Sequence, residues 1–462
     1  MMTAEVLNMI IREQRYLKEG ELLQRGDVLI QSEKQLTKQQ AEMAGVWYMN
    51  AGAPRLAKCS REQLQVYWKD CGLIGNRTLS HNRFFRVTIF HFQLVQLIRL
   101  TDKDALTTRY QETDSFRTTV KAEHNYTERV SNDKLLQQVV KAAIASLYVL
   151  ALEVGEVIVQ LSGDGLVQPV SASDRIVDDH SYQLAKQQFA ETMALNIVNH
   201  KQMLSIMLGA DPEVAIVNAT GQLVSASYFF GENKGAAIGT DSIRVKGKLI
   251  YPLLELRPRP TSEPAQLLMQ IQRLLMQASE RINNSSMRLV AGAMPIKGIA
   301  LGGHIHLSGV PLTSRLLRLL DSLITIPLAL IEAESGKERR PRYGRLGDYR
   351  RQAYGGFEYR TLPSWLISPM VAKAVFALTK MCAEDALQLD TVPQLSMDMM
   401  RAYYQADYAQ LRSFWPQIKQ TIFRMTRYKE YESYIDPLIT AIDQQKRWDE
   451  RLDIRKKWRI PV

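Results

Sequence analysis

The segment Gly298-Ile-Ala-Leu-Gly-Gly-His-Ile-His-Leu-Ser-Gly309 alternates imidazole and aliphatic side chains between glycines. Alternation with period two is the mark of a strand with one buried and one polar face. His304 and His306 then share a face, about 7 Å apart at strand rise, while Ile305 and Leu307 point to a core. Three other stretches repeat the pattern: Gly209-Ala-Asp-Pro-Glu213, Glu255-Leu-Arg-Pro258 and Phe357-Glu-Tyr-Arg360. Each places a polar pair at i, i+2 among apolar neighbours: Asp211/Glu213, Glu255/Arg257 and Glu358/Arg360. Four such strands predict a sheet with a concave polar site on one face.

Around these strands the texture is mixed. Helical spacing predicts helices over 60–72, where Ser60 is a capping residue, and over 134–150, 262–283, 311–335, 367–390 and most of 395–459. The run 84–100 reads as strand, and 155–172 as a hairpin with the turn Ser162-Gly-Asp-Gly165. Residues 101–133 read as polar loop, 172–190 as an acidic linker before a helix to about 207, and 235–248 as a Gly-rich stretch. The pattern is α+β. The expected division is an N-terminal domain over 1–190, a catalytic domain over 200–395 and a C-terminal helical extension over 396–462.

Composition bounds the class. The chain has 462 residues, 46% apolar and 23% charged, which excludes a mainly disordered or collagen-like protein. Cys59, Cys71 and Cys382 are too few for a disulfide framework, and a reducing compartment is the simplest reading. The start carries charge at Glu5, Arg12, Glu13 and Arg15 and has no continuous apolar core or small-residue cleavage site, so a secretory leader is not expected. No apolar run approaches the roughly 18 residues of a membrane span. A cytoplasmic protein without a membrane partner is expected.

The formal charge of +11 points to phosphate-bearing partners. Residues 337–360 contribute +5, from Lys337, Arg339, Arg340, Arg342, Arg345, Arg350, Arg351 and Arg360 against Glu338, Asp348 and Glu358. Arginine forks suit phosphate and carboxylate oxygens, and the interleaved glycines let such a loop close over a ligand. Residues 446–459 contribute a further +4. That tail is either a solvated helical face or a nucleic-acid surface. Carboxylates on the strands are hard ligands that suit Mg²⁺. A His-x-His pair alone is as readily a hydrogen-bonded pair as a metal site.

In this order the strings GADPE (209–213), GTD (239–241), ELRP (255–258), GGHIHLS (302–308), YGRLGDYR (343–350) and FEYRTLPSWL (357–366) resemble the amidoligases. These are the COOH-NH2 ligases of type 2, within the glutamine synthetase and glutamate–cysteine ligase superfamily. The resemblance covers roughly 205–385. It implies a glutamine synthetase-like antiparallel sheet forming a half-barrel, with ATP and two or three Mg²⁺ ions inside it. It implies an ATP-dependent ligase that makes an amide through an acyl phosphate, from a carboxylate and an amine borne by an amino acid, a peptide or a cell-wall fragment. It implies Asp211, Glu213, Glu255, His304 and Glu358 as metal ligands, with Glu255 also near the amine. It implies His306 and Arg360 towards nucleotide and substrate, and Arg345 and Arg350 on phosphates. Arg257 departs from the family's more acidic second strand. Residues 60–171 more faintly resemble the ends of an ATP-grasp domain, an α/β-type module. Gln168, Val170 and Ser171 replace its Glu-x-Asn, so this module reads as degenerate. The rival functions are a non-catalytic nucleotide- or peptide-binding adaptor and a basic nucleic-acid binder.

Overall fold

The computed structural model describes residues 11–13, 23, 27–32, 46–75, 82–100, 124–176, most of 179–191, 206–233, 235–245, 248–386 and 395–461. The expectations for 101–123 and for the helix over 192–205 lie outside them. Chain contacts divide the protein into two units, Met1–Asn199 with Gln388–Val392, and His200–Leu387 with Pro393–Val462.

The first unit contains two sheets. Strands β1 (Ile11–Glu13), β2 (Val28–Ile30) and β3 (Trp47–Met49) run parallel in that order. Strands β4 (Arg83–Phe90), β5 (Gln93–Leu100), β6 (His124–Asn125), β7 (Val154–Leu161) and β8 (Val167–Ser173) form an antiparallel sheet in the order β6-β5-β4-β7-β8. The run 84–100 is therefore a hairpin and not one strand. His91 and Phe92 make its two-residue turn, both with positive φ (46° and 67°). Such turns usually announce themselves with Asn-Gly; here nothing does. The helix Lys134–Val149 starts at Asp133, whose carboxylate accepts from the Leu135 and Leu136 amides. The helix Arg61–Asp70 carries a capping box between Ser60 and Gln63.

The second unit is built on an eight-stranded antiparallel sheet, curled into a half-barrel. Its strands are β9 (Met207–Val217), β10 (Leu223–Val224), β11 (Ile238–Val245), β12 (Lys248–Leu256), β13 (Arg288–Val290), β14 (Gly303–Ser308), β15 (Tyr349–Arg351) and β16 (Phe357–Tyr359). Six follow the path β11-β12-β9-β14-β16-β15; β10 and β13 pair with the far end of β9. The stretch 235–248, expected as a Gly-rich connection, is largely β11. The apolar side of β9, β12, β14 and β16 (Val214, Leu254, Ile305, Leu307, Tyr359) is buried. The helix Pro264–Ile282 places Leu267, Ile271, Leu275, Ala278 and Ile282 in the interior at helical spacing, each large one contributing roughly 1.5–3 kcal/mol.

Two details fix the strands that carry function. Gly303 meets the 3₁₀ turn Trp365–Ile367 so closely that a Cβ there would lie 2.3 Å from the Pro363 carbonyl. The Trp365 indole donates to the Gly303 carbonyl at 2.8 Å. The expected long helix over 311–335 spans Ser314–Ala329 and contains a π turn at Asp321–Thr325. Its Asp321 and Thr325 both bond the Tyr359 hydroxyl, anchoring β16 from behind.

The basic tail is anchored by a few buried residues, among them Glu450, Arg455 and Trp458, while Lys446, Arg447, Arg451, Lys456, Lys457 and Arg459 are exposed. Arg455 is 1% exposed and pairs with Asp453. Trp458 donates to the Leu366 carbonyl at 2.7 Å. Glu450 accepts from the amides of Ala293 and Met294. The stretch therefore combines the expected solvated basic face with a clasp, in which Glu450, Arg455 and Trp458 turn inward. Two residues of the arginine loop also turn inward. Arg339 donates to the carbonyls of Thr361 and Leu362, while Arg340 pairs with Glu332 and stacks on Tyr403. Among the described residues no helix is long and apolar enough to cross a membrane.

Candidate active site

Register decides which polar side chains meet. Asp211 on β9 lies opposite His304 on β14, and Glu213 opposite Glu255 on β12. His306 lies opposite Glu358 on β16, which in turn faces Arg350 on β15. Since alternate residues share a face, all the i, i+2 pairs fall on one side of the sheet. Asp241 of β11 joins them, opposite Leu253.

The centre is a group of three. Donor atoms of Asp211, His304 and Glu358 all lie within 4.8 Å of one another. His304 Nδ1 is 3.3 Å from Asp211 Oδ1 and 3.2 Å from Glu358 Oε1. Those two carboxylate oxygens are buried and make no well-aligned hydrogen bond, although both lie at ion-pair distance from His304, and Glu358 Oε1 also from Arg360. Buried acceptors of this kind cost free energy unless something binds them. Two hard oxygens and an imidazole nitrogen around one point fit a divalent cation, so the residues present suit a metal.

The neighbours extend the group. His306 Nε2 is 3.1 Å from Asp211 Oδ2, and its Nδ1 is 2.9 Å from the Tyr354 hydroxyl. Glu358 is fully buried and is met by Arg350, by Arg360 Nε at 3.2 Å and by the Gln352 amide at 2.8 Å. Glu213 accepts from the Gly302 amide at 2.8 Å, and its own carbonyl takes the Ser364 hydroxyl at 2.6 Å. Glu255 pairs with Arg257. Glu213 and Glu255 therefore stand beside the three-residue group rather than within it. Arg345 pairs with Asp348 at 3.4 Å and, of the expected arginines, is the one not brought onto a site carboxylate.

The electrostatics follow from crowding. Burial pushes Glu213 up to about 7, with His304 opposing and Asp241 adding to the rise. Burial pushes Glu255 up to about 9, and the charge of Asp211 adds to it while Arg257 opposes. Burial also disfavours the charge on Asp211, but the imidazoles of His304 and His306 outweigh it and hold that carboxyl below its ordinary value. His304 is raised: burial works against its charge, and Asp211, Glu213 and Glu358 win.

Sequence reading missed Asp241, Gln352 and Tyr354 as members of this site. Asp241 stood in the quoted GTD string and was the recoverable one. The other two sit in the turn between β15 and β16, where no pattern marks direction.

A half-barrel sheet with buried acids, imidazoles and arginines on its inner face defines a ligase-like class of site. The chain matches the family described as phage phiEco32-like COOH.NH2 ligase-type 2 over residues 208–460, more than half its length, and belongs to that family of carboxylate–amine ligases. No curated protein sequence matches it. Among solved structures it is similar to a bifunctional glutathione synthetase from Pasteurella multocida, with 12% identity, 58% of this chain and 49% of that one covered, and a TM-score of 0.34. A novel glutamine synthase homolog shows 14% identity over 54% and 74% of the two chains, with a TM-score of 0.23. A GmaS/ADP complex shows 11% identity over 53% and 77%, with a TM-score of 0.26. The chain spans about half the length of the glutathione synthetase.

Proposed function

We propose that the protein is an ATP-dependent carboxylate–amine ligase. A substrate carboxylate attacks the terminal phosphorus of ATP, giving an acyl phosphate and ADP. An amine then attacks the acyl carbon, and phosphate leaves as the amide forms. The observation that carries this reading is the convergence of Asp211, His304 and Glu358 on one point, with Arg350 and Arg360 at its rim.

Asp211, His304 and Glu358 would hold one Mg²⁺, with Glu213 and Glu255 available to a second. Bound there, magnesium neutralises phosphate charge and polarises the phosphoryl group. The protein's own groups do the rest. Arg360 and Arg350 face the charge that grows on the transferring phosphoryl group. His306, braced between Asp211 and Tyr354, orients nucleotide or acid. Glu255, beside Arg257, is the group we assign to take the proton of an ammonium substrate in its ionised form. Residues 1–190 are proposed as a separate scaffold or docking module, degenerate ATP-grasp-like, and the site as cytoplasmic.

The test is mass spectrometry of products after incubation with ATP, Mg²⁺ and host metabolite extract. A new amide product appearing with ADP is expected. ADP release with no acid or amine dependence would overturn the reading.

A further inference from the structure

Two guanidinium groups, Arg350 and Arg360, meet Glu358 on β16. Another, Arg257, follows β12 and pairs with Glu255. The group of Asp211, His304 and Glu358 is carried by β9, β14 and β16. Along the sheet path β12 precedes these strands and β15 follows them. Arg257 and the Arg350–Arg360 pair therefore flank the group from opposite sides. A phosphoryl group that meets Arg350 and Arg360 leaves Arg257 for a different anion.

Strand β11 shapes the place where Arg257 lies. Gly239 stands directly opposite Glu255. A Cβ on it would fall 2.3 Å from Arg257 Nη1 and 2.5 Å from the Asn233 carbonyl, so a side chain here would push the guanidinium out. The Arg257 amide donates to the Ala237 carbonyl at 2.7 Å. Its Nη1 donates to the Ala236 carbonyl at 3.3 Å, and its Nη2 to the Glu255 carboxylate. The fork is thus held from two sides before anything binds. Among the described residues these bonds leave further N–H donors of the guanidinium unpaired. The Arg257 side chain keeps 27% of its surface exposed, against 7% for Glu255. A pre-oriented fork with unused donors, open to solvent beside a buried acid, suits a carboxylate.

We propose that the amine substrate is an α-amino acid, whose carboxylate is held by Arg257 while its ammonium group lies at Glu255. The proposal rests on the ligase reading and narrows its amine. Glu255 and Arg257 are in contact, and the two charged groups of an α-amino acid are separated by a single carbon, so one molecule reaches both. A peptide N-terminus carries an amide at that carbon, and ammonia or a simple amine carries nothing there. Each of these would leave Arg257 with Glu255 as its anion.

The experiment reads binding without turnover. Full-length protein with Mg²⁺ and a non-hydrolysable ATP analogue is equilibrated with an equimolar mixture of α-amino acids of both hands and the amines that lack their carboxylates, such as alanine with ethylamine. Retained molecules are quantified by ultrafiltration and mass spectrometry. At least one amino acid should be retained about tenfold more than its matching amine, the usual worth of a charged hydrogen bond. Arg257→Gln should abolish that preference. Arg257→Lys keeps the charge without the fork and should lose part of it, which decides the matter should the glutamine variant not fold. Preference for the amines, retention of neither, or amino-acid retention that is unchanged in the folded variants would overturn the proposal. Product analysis separates it from the ligase reading. An amide whose amine half bears no carboxylate sinks the amino acid and keeps the ligase. Retention that depends on Arg257, with no amide from any acid, does the reverse.

Discussion

Glu213 and Glu255 face each other directly across β9 and β12, both buried, with the guanidinium of Arg257 beside Glu255 and the His304 imidazole acting on Glu213. Burial raises both carboxyls, so the fold disfavours their ionisation, and the cost grows as pH rises above the ordinary carboxyl range. Glu213→Gln keeps an oxygen for the Gly302 amide and removes one such group, so its effect should be largest above pH 7. Without divalent cations it should raise Tm by about 1–4 °C. Thermal melts in chelator at about pH 8 check this; a lower Tm would show that the buried carboxyl is not a cost to the fold.

Divalent ions should stabilise the three-residue group. Mg²⁺ with ATP is expected to raise the wild-type Tm, by linkage to the native state. Asp211→Asn and Glu358→Gln should each lose most of that rise, because each removes one of the two carboxylates beside His304. Differential scanning calorimetry with and without Mg²⁺ gives the answer. A full shift retained in both variants would place the ion elsewhere.

Arg360 stands at the rim beside Glu358 and is only partly buried. Arg360→Ala should lower the turnover of ATP to amide product by about 10²–10³-fold, the usual cost of removing one donor to a developing charge, with little change in Tm. Steady-state kinetics on the substrates found by product analysis measure it.

Tyr359→Phe should act through the fold. The hydroxyl joins Asp321 and Thr325 at the π turn, in the interior. Removing it leaves those groups short of a partner and should cost about 1–3 kcal/mol, read from urea unfolding. Activity per folded molecule should fall less than in Arg360→Ala.

Glu450→Gln tests the tail. The carboxylate accepts from the Ala293 and Met294 amides and from the Ser335 hydroxyl. A neutral amide keeps one acceptor and loses the rest, so a loss of about 1–3 kcal/mol is expected. An unchanged unfolding midpoint would show that the clasp is incidental.

Much of the second unit was legible because its chemistry sits on strands. Period two puts Asp211 with Glu213 and His304 with His306 on one face, whatever the partner strand is. Register was not legible: that His304 meets Asp211, while Glu213 meets Glu255, depends on pairings far apart in the chain. Asp241 was hidden because glycines before and after β11 look like loop. Arg339 and Arg340 could not be told from Arg350, since a loop has no period from which to read direction. The π turn also left no trace, although it holds the residue between Glu358 and Arg360. Gln352 and Tyr354 depend on the same kind of turn geometry.

The clasp formed by residues 450–458 has a consequence for how the protein is made. Glu450 reaches back more than 150 positions to Ala293 and Met294, Arg455 bonds the Met287 carbonyl and Trp458 the Leu366 carbonyl. A chain still on the ribosome lacks these ties until residues 450–458 clear the exit tunnel. The half-barrel must therefore wait, incompletely braced, through most of its own synthesis. Nascent chains stalled before residue 450 should be cut readily by protease within 287–294, and chains released after residue 458 should resist.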